Sequence, residues 1–471
     1  MPPPQYNLTE GSISKRLLLF TLPILIGNIL QSLNATVNSI WIGRFLGEAA
    51  LTASSNAGIV LFLVLGAMMG ASLAATILIG QYVGARRLED AKRVVGTSTT
   101  FAATLSILMA LLGWIACEPL LRLMQTPPQA LPLAVDYMRV IFLALPFMVL
   151  YVFATSALRG AGDAKTPLYF LFLSVGLDIA LNPVFIFGIG PIPRLGIAGS
   201  AVATLLAQAI SLVTLIVFLY GKKHPLCLHG DEMKFLKVDW SIVSTLIGKG
   251  VPMALQMSVL SLSMVFMISL VNRFGIDTAA AYGAGVQLWN YIQMPSFAIG
   301  MAVSSMAAQN IGAQKWDRIG TITRMGVIYQ LALTGTMVLI VDVFCRSALG
   351  LFLPAGSTAL DIGAHLNNIV TWSFIFFGIS MVLFGVVRAN GAVVAPLIVL
   401  SISLLGIRFP LALALMDRLH ADAIWWSFPA SSFVAILMAM AYYKWGKWRT
   451  IRMITPQAAA AQAAAVSAEA G

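Results

Sequence analysis

Leu158-Arg159-Gly160-Ala161-Gly162, with Pro167 beyond it, returns 229 positions later as Val387-Arg388-Ala389-Asn390-Gly391, with Pro396 beyond it. The same spacing recurs along the chain. Leu22-Pro23 is matched by Val251-Pro252, Gly43-Arg44-Phe45-Leu46-Gly47 by Asn272-Arg273-Phe274-Gly275, and Gln81-Tyr82-Val83-Gly84-Ala85 by Gln309-Asn310-Ile311-Gly312-Ala313. The offset is 228 or 229 throughout, the slip reflecting a residue missing near Gly275. Repeats this long are two half-proteins rather than solenoid units. In a membrane chain, related halves are the usual frame of an alternating-access transporter with its substrate site between them.

Composition places the chain in a membrane. Of its 471 residues, 59% are hydrophobic and 10% charged, and the mean hydropathy is +0.89. That leaves too little polar surface for a water-soluble globule. Twelve apolar runs fall near 17–41, 53–80, 94–116, 134–158, 167–190, 197–221, 242–271, 279–308, 324–345, 363–387, 395–416 and 423–445. Each is long enough for a hydrocarbon core about 30 Å thick, and far longer than a β-barrel strand. The expected fold is therefore an all-α polytopic membrane protein. Its twelve transmembrane helices form two six-helix repeats, two pseudo-symmetric lobes around a central cleft, and an even number per repeat gives both the same orientation. The expected organisation is a cytoplasmic N-terminal tail (1–13), an N-lobe (14–221), a cytoplasmic linker (222–240), a C-lobe (241–446) and an Ala-rich cytoplasmic tail (447–471).

Charge sets topology and excludes several functions. With both termini cytoplasmic, the inner segments carry twenty-one Lys and Arg and the outer loops seven, leaving Arg408 within a span. This bias orients the chain in a bacterial inner membrane and accounts for the net charge of +11. The basic residues punctuate helices and form no patch, so nucleic acid is not an expected partner. Three cysteines give neither a disulfide framework nor a metal site. The chain has no G-x-x-x-x-G-K-[ST] loop, nucleophile elbow or H-E-x-x-H. Neither catalysis nor a bound cofactor is expected, and an ion gradient is the remaining energy source.

Polar residues inside the spans carry the candidate chemistry. An ionised Asp at the bilayer centre costs roughly 2.5–3.5 kcal/mol on insertion scales, which marks intramembrane acids as functional candidates. Asp178 lies in mid-span, and Ser174, Asp178 and Asn182 share one helix face at i, i+4 and i+8. Pro183 follows and frees a carbonyl in the turn before it. An acid, an amide and loosened carbonyls suit a proton or a Na⁺ ion at Asp178 and Asn182; the alternative is an Asp hydrogen-bonded to a neighbouring helix. Gly27, Gln31, Asn34 and Asn38 form a matching stripe in the first span, suited to helix association or to a polar cavity beside Asp178. Asp342 stands near the outer end of the ninth span. Arg408 stands where the repeat places the Asp178 region; it can snorkel, pair with a carbonyl, or meet an acid across the cleft. Pro23 and Pro252 sit at equivalent places in the leading helix of each half and are expected hinges. Gln31, Asn34, Met257, Tyr282 and Gln287 are the expected substrate-cavity residues, flexible Met surfaces being suited to varied ligands.

These segments resemble the multidrug and toxic compound extrusion (MATE) family over about residues 14–446. The resemblance rests on Leu22-Pro23-Ile24, Trp41-Ile42-Gly43-Arg44-Phe45-Leu46-Gly47, Gly80-Gln81-Tyr82-Val83-Gly84-Ala85, Leu158-Arg159-Gly160-Ala161-Gly162-Asp163, Leu181-Asn182-Pro183, the Gly196-to-Thr204 segment, and the second-half set. It implies a V-shaped pair of six-helix lobes exporting amphipathic, often cationic, compounds in exchange for protons or Na⁺. It adds Thr204 to Asp178, Asn182 and Asn38 as the coupling set. Two departures stand out: Asn38 replaces the family's usual first-helix Asp, and the fifth-helix order is Asp178 then Asn182-Pro183, the reverse of the usual one. The second-half acids of the NorM-like branch are missing, which points to the DinF-like branch with coupling in the first lobe. The expected function is secondary active multidrug efflux, with H⁺ preferred to Na⁺ because one carboxylate can carry a proton whereas Na⁺ needs more oxygens. A lipid-linked precursor flippase or a substrate-specific metabolite exporter is the alternative. The expected partners are small organic substrates and the lipid bilayer, and the expected state is a monomer.

Overall fold

Among the described residues every long apolar run is largely helix. The computed structural model describes residues 7–188, 193–354 and 356–453. In the first half, α1 (Ile13–Leu46), α2 (Glu48–Gly84), α3 (Leu88–Leu123), α4 (Leu131–Ala161), α5 (Lys165–Phe187) and α6 (Ile197–Gly221) follow one another with short connections. The second half runs α7 (Trp240–Val271), α8 (Ile276–Gly312), α9 (Asp317–Val343), α10 (Cys345–Leu349), α11 (Thr358–Val370), α12 (Ser373–Ala389), α13 (Val394–Ser401), α14 (Phe409–Leu419) and α15 (Asp422–Trp445). Ten helices among the described residues are long and apolar enough to cross a bilayer, or eleven when α11 and α12, bent by 43°, count as one span. The twelfth expected span is α8, whose 37 residues are long enough to cross. Gln287, Asn290, Gln293, Gln309 and Asn310 make it less apolar than its neighbours.

The repeat is visible in backbone geometry as well as in sequence. Gly162 and Gly391 end equivalent helices, and each has φ +96°, a left-handed conformation that a β-carbon disfavours. The chain divides into two units, but not at the expected linker. One is built on Ile26–Gly250 and the other on Leu8–Leu25 with Val251–Thr455. Both α1 and α7 run unbroken through Pro23 and Pro252, and each passes from one unit to the other close to its proline.

Three expected segments are held in place by what they touch. Leu8 and the residues after it are not a free tail. The Leu8 N–H donates to Gln309 Oε1 at 3.0 Å, Asn310 Nδ2 to the Leu8 carbonyl at 3.1 Å, and Lys315 Nζ to the Thr9 carbonyl at 3.0 Å. The segment 222–240 is not a loose linker either: Thr100 donates to the Leu236 carbonyl at 2.7 Å and Lys92 holds Glu232 at 2.6 Å. Lys92 keeps the Glu232 carboxyl below the usual range. At the C-terminal end, Trp448 is fully buried and its carbonyl accepts from Asn390 Nδ2 at 2.8 Å, so the chain is packed beyond 446. Residues 1–6 of the expected first tail and 454–471 of the Ala-rich one lie outside the described residues.

In the first unit α4 is central, packing on α2, α3 and α6. In the second, the bent α11–α12 pair takes that place against α8, α9 and α15. Close approach needs glycine at Gly160, where a β-carbon would lie 2.5 Å from the Thr76 carbonyl oxygen of α2. Gly160→Ala should therefore destabilise the protein by about 1–3 kcal/mol through overpacking. Gly176→Ala, where a β-carbon meets nothing within 4 Å, should not; thermal unfolding of both variants in detergent checks this.

His224, buried in the connection after α6, accepts from the Leu226 N–H through Nδ1. Burial lowers its imidazole below the ordinary 6.5. A depressed folded-state value means that the unfolded segment takes up the proton first. The stabilisation is present above the ordinary value and is lost as pH falls through the folded one. Hydrogen–deuterium exchange of 222–236, corrected for intrinsic rates, should quicken from about pH 7 to pH 5, and His224→Gln should flatten that response.

Candidate functional site

Asp178 sits halfway along α5, only 3% exposed, with Asn182 one turn on and fully buried. A buried ionised carboxylate needs donors on both oxygens, and three helices supply them. From α1, Asn34 Nδ2 donates to Asp178 Oδ2 at 2.9 Å and Asn38 Nδ2 to the same oxygen at 2.8 Å. From α6, Thr204 Oγ1 donates to Oδ1 at 3.0 Å. Within α5, Asn182 directs its two amide hydrogens to Asn38 Oδ1 at 2.9 Å and the Asp178 carbonyl at 2.8 Å, so its 3.4 Å approach to Oδ1 adds little. Asn34 and Asn38 reach one oxygen together because they are four residues apart on one helix face.

The structure thus brings together Asn38, Asp178, Asn182 and Thr204, and it adds Asn34, which the sequence placed among cavity residues. Asn34 Oδ1 and Asn182 Oδ1 are buried without a hydrogen-bond partner among the described residues. Oxygen acceptors are therefore at hand beside the carboxylate. Tyr137 of α4 lies within electrostatic range of Asp178, and the equally unpartnered Gln208 Oε1 is one turn beyond Thr204 on α6. Sequence reasoning missed both: Tyr137 is on another helix, and Gln208 is recognisable only once the Thr204 face is fixed. No group of three His, Cys, Asp or Glu able to hold a metal occurs among the described residues.

The remaining cavity candidates divide. Gln31 in the first unit and Gln287 in the second are exposed, and Met257 is half-buried. Tyr282 is a correction. It is 2% exposed, edge-on to Trp289 with ring centroids 5.5 Å apart and stacked on Trp425 at 6.1 Å. It belongs to the second unit's aromatic core. Asp342 accepts from Thr371 Oγ1 at 2.8 Å, beside the break between α11 and α12. Cys117 and Cys345 are buried free thiols.

Comparison with known proteins agrees with this architecture. The MatE family model matches residues 23–184 and again 252–414, once per repeat. The probable multidrug resistance protein YoeA of Bacillus subtilis is 37% identical over 95% of this chain and 97% of its own length. The probable multidrug resistance protein YpnP of the same organism is 32% identical over 96% and 99%. Among solved structures, an outward-facing multidrug resistance MATE family transporter of the MOP superfamily superposes with a TM-score of 0.86 at 20% identity, over 95% of this chain and 98% of that one. Matched in both halves and along nearly its full length, this chain belongs to the MatE family and is a multi-pass membrane protein of the multidrug transporter class.

Proposed function

We propose that the protein is a secondary active exporter that moves amphipathic organic compounds, cationic ones among them, outward in exchange for protons. The observation that carries this reading is Asp178, the one buried acid within a helix of the first unit among the described residues. In its ionised form it accepts from Asn34, Asn38 and Thr204. Protonation turns one carboxylate oxygen into a donor. It then repels one incoming N–H and needs an acceptor, which Asn34 Oδ1 or Asn182 Oδ1 can become once the amide turns.

Two of the three donors that feel this change sit on α1, whose first turns (13–25) belong to the other unit. A proton arriving at Asp178 thus alters the hydrogen bonding of a helix common to both units, and Pro23 is the point where that helix has one backbone bond fewer to break. Pro252 does the same for α7, which supports both prolines as hinges. Alternating access follows if the two protonation states favour different helix positions, since a ligand shifts an equilibrium only by its differential affinity.

Na⁺ is the alternative coupling ion. Asp178, Thr204 and the two unpartnered amide oxygens would be its ligands, acting on a transported ion and not a resident cofactor. The lack of a second buried acid among the described residues of this site favours the proton. Coupling within the first unit is also what a DinF-like transporter would show. The positive-inside bias supports an inner-membrane location with both termini cytoplasmic, and we read the protein as a monomer.

Dye efflux from everted vesicles under an imposed pH gradient, compared with an imposed Na⁺ gradient, tests the coupling. The pH gradient alone should drive wild-type efflux. Asp178→Asn, nearly isosteric, should reduce gradient-driven efflux to background at unchanged expression. Full activity in that variant would remove the coupling site.

A further inference from the structure

The second unit carries a charge of the opposite sign at the place equivalent to Asp178. Pro396 follows Pro167 by 229 positions, and Arg408 follows Asp178 by 230. The extra residue is accommodated between them: Ile402–Arg408 is a π-helical segment joining α13 to α14, and a π turn takes one residue more than an α turn. Arg408 ends that segment. It rests on α15 as Asp178 rests on α6, donating from Nε to Ser431 Oγ at 2.9 Å. Its guanidinium carbon lies 4.2 Å from the Phe428 ring centroid, and its Nη atoms donate to nothing among the described residues.

No carboxylate answers this cation. Among the described residues Arg408 is in no ion pair, and Asp342, the acid beside the break between α11 and α12, accepts from Thr371. A guanidinium at this depth is not stable against lipid, and such residues face protein interior or water-filled recesses. Arg408 as a residue is half-buried. Two hydroxyls at repeat-equivalent positions are also unused. Ser263, the counterpart of Asn34, and Ser403, the counterpart of Ser174, are buried without partners among the described residues.

We propose that Arg408 anchors an anion-binding subsite in the second unit, receiving the carboxylate, sulfonate or phosphate of an amphipathic substrate. Ser431 and the Phe428 face fix the guanidinium plane, leaving its Nη edge free for the paired hydrogen bonds that such groups accept. The inference deepens the export reading by naming a second class of cargo, anionic or zwitterionic, and rests on that reading.

The test uses the full chain in phosphatidylcholine nanodiscs, with carboxyfluorescein as anionic and rhodamine 6G as cationic probe, followed by fluorescence anisotropy. Arg408→Gln should weaken carboxyfluorescein binding by roughly tenfold or more while leaving rhodamine 6G within about twofold. Arg408→Lys should keep part of the anion affinity, since charge remains but the paired geometry is lost. Failure of the wild type to bind carboxyfluorescein, or unchanged binding by Arg408→Gln, overturns the proposal. So does parallel loss of both dyes in the Gln and Lys variants, which marks Arg408 as structural. Nanodiscs containing phosphatidylglycerol separate cargo from lipid: unchanged carboxyfluorescein affinity supports a substrate subsite, and competition assigns the site to a lipid headgroup and overturns it. Rhodamine efflux from vesicles tests the export reading by itself, so the two failures are distinguishable.

Discussion

The demand that a carboxylate withdrawn from water be met by donors organises the first unit. At 3% exposure the Asp178 carboxyl has given up its water partners, and donors from the protein must replace them. Meeting that demand fixes α1, α5 and α6 against one another, because the donors come from Asn34, Asn38 and Thr204. Small residues make the approach feasible. A β-carbon on Gly199 would run into the Phe185 carbonyl, so glycine there lets the start of α6 lie against the end of α5 and carries Thr204 within reach of the carboxylate. Packing and chemistry at this point are one constraint.

The two repeats keep their helical framework and differ in what they bury. Gly162 and Gly391 end equivalent helices with identical φ, yet the central element is continuous in α4 and bent by 43° between α11 and α12. The bend falls beside Thr371, whose single hydroxyl hydrogen has two acceptors within reach, the Asn367 carbonyl and Asp342, a local competitor to the regular helical pattern. At the next span one unit carries an acid and the other a guanidinium. The cores diverge as well, the second being built on the Tyr282, Trp289 and Trp425 rings. Duplication set the scaffold, and side-chain replacement gave each copy its own electrostatics.

Much of the site was legible in the sequence because it is periodic. Asp178 and Asn182 lie one turn apart, as do Asn34 and Asn38, and helical spacing alone puts each pair on a single face. What the spacing leaves open is which face meets which. Tyr282 shows the consequence: an aromatic in an apolar span reads equally as cavity wall or core, and only its contacts with Trp289 and Trp425 decide.

The sequence by itself determined the membrane class, the duplication and the helix faces, since hydropathy, internal offset and 3.6-residue periodicity are properties of a chain read locally. Tertiary structure alone decided where the units divide, because Leu8–Leu25 and the segment up to Gly250 each fold away from the repeat they introduce. It alone showed that the segments expected to be tail and linker are packed, through partners such as Gln309, Asn310 and Lys92 that lie far away in sequence. It alone revealed the π-helical segment that offsets Arg408 by one residue. Those outcomes depend on partners brought together across hundreds of residues, and no local pattern encodes a partner's identity.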